Sequence, residues 1–75
     1  MDKLKNIFAS VLGVGIDSIG DSLSPENTPT WDSLNAIILI TEIEKAFNIR
    51  FEYDEAMAVR NFGDAVALVE SKKKD

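Results

Sequence analysis

Apolar residues along this chain form three helical stripes, separated by a turn-rich stretch and a short connector. In the first stripe Leu4, Ile7, Phe8, Val11 and Leu12 recur at i, i+3, i+4, i+7 and i+8, which lines one face of a helix, and Gly13 follows as its C-terminal cap. Residues 14–30 hold Gly15, Gly20, Pro25 and Pro29 among Asp, Ser, Asn and Thr, which is turn chemistry. A loop of that length needs anchors or a brief helical turn, and Val14, Ile16, Ile19 and Leu23 are its apolar candidates. From Ser33 to Phe47 there is no Gly or Pro, Asp32 is a good N-cap, and Asn48 ends the segment. Ile49-Arg50-Phe51-Glu52-Tyr53 alternates like a strand, yet a lone short strand has no partner. It therefore reads as an extended connector with Ile49 and Phe51 turned inward. Asp54 to Val59 reads as a short helix, since Asp54 and Glu55 favour its N-terminus. Asn61 caps a last helix, in which Phe62, Ala65, Val66 and Val69 repeat the apolar spacing, and Lys72-Lys73-Lys74 trails off as a solvated tail. The predicted fold is all-α: a small bundle of three main helices plus a short fourth, with a long loop between the first and second. It forms one domain over residues 1–75.

The central helix carries apolar residues on two faces. At about 100° per residue, Ala36, Leu39, Ile40, Ile43 and Phe47 share one side, and Leu34, Ile37, Ile38 and Thr41 the other. The first set is the predicted core face, with Phe8, Ile43, Phe47 and Val66 buried together. A small bundle buries one broad stripe, so Leu34, Ile37 and Ile38 are expected at the surface as a partner-binding patch, unless the 14–30 loop folds over them.

Composition narrows the chemistry. The chain has no cysteine and no histidine, which removes disulfides, thiolate catalysis, the usual zinc ligands and the commonest neutral-pH acid–base group. An enzyme is not expected. Eight basic against thirteen acidic residues leave a net charge of −5, the wrong sign for nucleic acid. No apolar run is long enough to cross a bilayer, and Met1-Asp2-Lys3-Leu4-Lys5-Asn6 is not a signal sequence, so the expectation is a cytoplasmic monomer. An EF-hand run of alternating aspartates is absent.

One hydroxyl stands out. Ser33 opens the central helix after Pro29-Thr30-Trp31-Asp32, where helix amides lack acceptors and the dipole is positive, a place suited to a phosphate ester. The triplet Asp-Ser-Leu occurs twice, and context separates the copies. Asp21-Ser22-Leu23 runs into Ser24-Pro25 and carries no helix, whereas Asp32-Ser33-Leu34 opens an unbroken one. Trp31 reads as a staple that packs the loop onto the bundle, and Tyr53 and Met57 as packing residues.

Asp32-Ser33-Leu34, followed at matching spacing by Leu39, Ile40, Ile43, Glu44 and Phe47, then by Ile49 and Phe51, resembles the acyl carrier proteins. The likeness spans essentially the whole chain. It implies a non-enzyme: a transferase, assisted by magnesium, moves 4'-phosphopantetheine from coenzyme A onto Ser33, and the arm's thiol carries acyl, aminoacyl or ketide groups for acyl-loading and acyl-processing enzymes. It further implies that Asp32 positions the transferase and magnesium, and that Leu34, Ile37, Ile38 and Thr41 form the surface partners read, with Glu44 available to a basic partner.

This chain departs from the fatty-acid pattern of that family. Thr30 stands where a glycine is usual and Trp31 precedes the aspartate, while Asn35, Ile38 and Lys45 replace carboxylates. That implies partners other than the basic grooves of fatty-acid synthesis, and resembles discrete carriers of specialised pathways: polyketide-like, nonribosomal or cell-surface-modifying. The rival expectation is an unmodified helical module that binds a protein through Leu34, Ile37 and Ile38.

Overall fold

The computed structural model describes residues 2–73. In order they form α1 (Asp2–Leu12), a single 3-10 turn (Ile16–Ser18), α2 (Ser33–Phe47), α3 (Tyr53–Met57) and α4 (Phe62–Lys73). Among the described residues there is no strand, and no helix is long and apolar enough to cross a membrane.

Helices α1 and α2 end by the same device. Gly13 (φ 69°) and Asn48 (φ 57°, ψ 51°) enter the left-handed region. Two successive amides then turn back on one carbonyl: Gly13 and Val14 donate to Ala9, and Asn48 and Ile49 to Glu44. The reversal aims Val14 and Ile49 at the core, against which both pack.

Phe8 is the hub of that core. Its ring meets Trp31 edge-on at 5.3 Å between centroids and Phe62 at 4.9 Å, so one residue of α1 joins the end of the loop to the start of α4. Leu4, Leu12, Ile19, Leu39, Ile43, Ala65 and Val69 complete the buried set. Trp31 is thus the staple expected of it. Phe47 and Val66, expected fully inside, are half-buried against this cluster. Phe47 sits at the end of α2 under the Lys3 ammonium, which lies 5.1 Å over its ring and donates to the Ala46 carbonyl at 2.9 Å.

The long loop is a scaffold rather than a cover. Asn27 Oδ1 accepts from the Ser24 N–H and the Thr28 hydroxyl, and its Nδ2 donates to the Ser22 carbonyl. Thr28 is buried there, although nothing in its sequence neighbourhood marked it. The loop carbonyls of Leu23 and Asp21 receive the Phe62 and Gly63 amides at the start of α4. A Cβ on Gly63 would stand 3.3 Å from the Asp21 backbone, so glycine permits this approach. Ile19 is buried and Val14 and Leu23 are half-buried, but Ile16, expected as an anchor, is 41 % exposed, because its turn points it outward.

Three expectations about the C-terminal half are corrected. The short helix begins at Tyr53 and ends at Met57, not Asp54 to Val59; its start lies one residue earlier because Glu52 and Glu55 form a reciprocal capping box there. Tyr53 and Met57 point outward and are exposed rather than packed. Lys72 is not a solvated tail: its Nζ pairs with Glu55 Oε1 at 2.8 Å, the oxygen that also accepts the Glu52 N–H. First the Lys72 contact and then the Glu52 amide hold the Glu55 carboxyl below its ordinary value. Lys74, the last of the lysine run, lies outside the described residues.

Candidate functional site

The start of α2 is built by its own sequence. Asp32 keeps extended backbone (φ −112°, ψ −174°), and its Oδ1 accepts the Asn35 N–H at 2.9 Å. Its carbonyl accepts the Ala36 N–H at 2.8 Å. These bonds satisfy the third and fourth amides of the helix, and those of Ser33 and Leu34 have no acceptor within it. Asn35 Nδ2 donates to the Thr30 carbonyl at 2.7 Å, which ties the loop to the helix behind the serine.

Ser33 is exposed at this rigid start. It is the first residue of a 15-residue helix, at the positive end of the helix dipole. Ser22, the rival serine, lies in a turn whose next segment is irregular. The two Asp-Ser-Leu copies therefore differ in structure as their context predicts.

The patch beside Ser33 is open. Leu34 is 68 % exposed, Ile37 65 % and Ile38 38 %, with Thr41 exposed below them, donating its hydroxyl to the Ile37 carbonyl. The loop does not fold over it. No charged residue occurs in α2 before Glu42, so the first half of the helix presents hydroxyls, an amide and hydrocarbon. On the opposite side Leu39 and Ile43 are buried, and Ala36, Ile40 and Phe47 half-buried, which matches the two-faced wheel.

Glu44 is the exception among the expected surface residues. It is half-buried, and its Oε2 accepts the Phe51 N–H at 2.8 Å. Its carboxylate holds the connector after α2 instead of standing free for a basic partner. Among the described residues, no group of three or more His, Cys, Asp or Glu side chains is placed to hold a metal ion, so Asp32 offers a single carboxylate.

The described residues form a four-helix arrangement with an exposed serine at the start of its second main helix, in a chain without cysteine or histidine. No family model matches the chain. Among solved structures it is similar to the solution structure of a holo acyl carrier protein from Geobacter metallireducens, with 33% sequence identity, a TM-score of 0.81, and coverage of 95% of this chain and 82% of that one. The chain belongs to the acyl carrier protein family.

Proposed function

We propose that Ser33 is the attachment point of a 4'-phosphopantetheine arm and that the protein presents thioester-bound cargo to partner enzymes. The observation that carries this is the exposed serine at the first position of α2, a helix start whose first two amides lack helical acceptors, in a chain similar to a holo acyl carrier protein. The residues suit the group: a phosphodiester on Ser Oγ meets N–H donors and the positive helix end. In the loading step the Ser33 oxygen takes the phosphopantetheinyl phosphate of coenzyme A, adenosine 3',5'-bisphosphate leaves, and the hydroxyl proton passes to a base of the transferase. The chain has no histidine, so that base is supplied in trans. Once attached, the arm supplies the thiol that a cysteine-free chain lacks. Asp32 holds the helix start in register through the Asn35 N–H, and its carboxylate would help to position the transferase and its magnesium. The proposed location is the cytoplasm, a compartment that supplies coenzyme A.

Leu34, Ile37, Ile38 and Thr41 form the docking face. With no charge ahead of Glu42 in this helix, the fitting partner offers an apolar surface rather than a basic groove. That favours a specialised pathway over fatty-acid synthesis, with acyl, aminoacyl or ketide cargo. Intact mass after incubation with coenzyme A, magnesium and a broad-specificity phosphopantetheinyl transferase tests the reading. A gain of one arm is expected. An unchanged mass under conditions that load a control carrier would favour the unmodified binding module.

A further inference from the structure

The loop that leads into α2 forms one wall of a surface groove. The groove joins the end of α1, at Leu12, to Thr30, and its volume is about 590 Å³. Clefts that take small molecules hold roughly 300–1,000 Å³, so this one is large enough for a ligand. It lies at the Ser33 end of the bundle. Lys3, at the start of α1, reaches Ala46 at the end of α2, whereas Leu12, at the end of α1, shares the groove with Thr30. Thr30 stands three residues before Ser33, and that much extended chain spans at most about 11 Å. The groove wall is preformed: Asn27 is bonded to Ser22, Ser24 and Thr28, and the Leu23 N–H donates to the Gly20 carbonyl. The lining mixes the hydrocarbon of Val14, Leu23 and Pro29 with the hydroxyl residues Ser18, Ser22 and Thr30, and includes no lysine or arginine. An anion finds no counter-charge there. A neutral chain that carries both amides and methyl groups finds hydrogen-bonding partners for the first and apolar contact for the second.

We propose that this groove is a resting site for the phosphopantetheine arm: the phosphate stays on Ser33, and the neutral pantetheine portion, with its amides, hydroxyl and geminal methyl groups, lies back along the loop. The inference rests on the Ser33 attachment reading and adds to it a place for the arm between partner enzymes. The arm, built of pantoate, β-alanine and cysteamine units, is long enough to enter the groove from Ser33. Tethering makes the docking intramolecular, at an effective concentration on the order of millimolar, so a weak site is well occupied and still releases the arm to a partner. The preformed wall lowers the cost of ordering. None of Leu34, Ile37 and Ile38 lines the groove, so the docking face stays open while the arm rests.

The test loads the isotope-labelled full-length protein from unlabelled coenzyme A with a broad-specificity transferase, checks loading by intact mass, and compares the two forms by NMR. Isotope-filtered NOEs from the arm's geminal methyl protons to the Val14 and Leu23 methyls are expected in the loaded form, with shifts of the Ser18 and Gly20 amides. With the mass gain present, NOEs to Leu34, Ile37 or Ile38 instead, or no NOE from the arm beyond the neighbours of Ser33, overturn this inference alone. No mass gain removes the attachment reading and this inference with it. Gly20→Leu tests the place, because a Cβ at Gly20 meets no heavy atom within 4 Å and a larger side chain has room to enter the groove. In Gly20→Leu loaded to the same mass gain, the NOEs to Val14 and Leu23 should be lost, and their persistence would count against the groove. If Gly20→Leu does not fold, Ser22→Leu, at an exposed position of the same lining, makes the same comparison.

Discussion

The Glu44 carboxylate accepts the backbone N–H of Phe51 at 2.8 Å and so fixes the connector between α2 and α3. The bond is partly buried, and Phe51 lines the core on its far side. Removing the acceptor leaves an amide short of a partner, which costs about 1–3 kcal/mol. Glu44→Ala should therefore lower the melting temperature by roughly 4 °C or more, while Glu44→Gln, which keeps an acceptor oxygen, should lose less. Equal melting of Glu44→Ala and the natural protein would return Glu44 to the role of a free surface charge.

Leu34 and Ile38 should behave in the opposite way. Both are exposed on the outer side of α2, so Leu34→Glu and Ile38→Glu should leave stability within about 0.5 kcal/mol. Partner handoff should weaken, and acceptance by fatty-acid synthesis enzymes should improve. Severe unfolding of Ile38→Glu in thermal denaturation would show that this face is covered in solution.

The ion pair between Glu55 and Lys72 gives a pH signature. The Glu55 carboxyl is held below its ordinary 4.5, chiefly by Lys72 and next by the Glu52 amide. A depressed carboxylate contributes stability that is full above its unfolded value and fades as the pH falls through the folded one. Hydrogen exchange at the Ala56 amide of α3 and the Ala58 amide just after it should thus show constant protection from pH 7 to about 5 and extra opening below 4.5. Glu55→Gln should flatten that dependence, and a Glu55→Gln profile that still follows the natural one would place the acid sensitivity elsewhere.

Phe8 and Phe47 differ in burial and should differ in cost. Phe8 is 1 % exposed at the centre of the aromatic trio, so Phe8→Ala should cost about 3–5 kcal/mol and approach the whole stability of so small a domain. Phe47 is half-buried at the end of α2, and Phe47→Ala should cost less. Urea titration ranks the two.

How much of this was legible follows from the range of each interaction. The bounds of α2 could be read because Asp32 caps within its own turn and Asn48 adopts the left-handed conformation locally. Its two faces followed from the helical period alone. The Glu52–Glu55 box was present in the sequence, but weighting acids at Asp54 shifted the start of α3 by one residue. Glu44 with Phe51, and Glu55 with Lys72, join separate elements, and no periodicity encodes such pairs. Trp31 was read as a staple, but that its partner is Phe8 depends on how the loop returns across α1. Ser33 was distinguishable from Ser22 because a proline-broken loop and an unbroken helix are sequence-level contrasts.

The central claim is that Ser33, and no other hydroxyl, receives the arm. Peptide mapping by mass spectrometry of the natural protein, Ser33→Ala and Ser22→Ala, each incubated with coenzyme A, magnesium and a broad-specificity transferase, tests it directly. The expected result is one phosphopantetheinyl group on the peptide containing Ser33 in the natural protein and in Ser22→Ala, and none in Ser33→Ala. A modified Ser33→Ala protein, or an arm mapped to Ser22, would contradict the account.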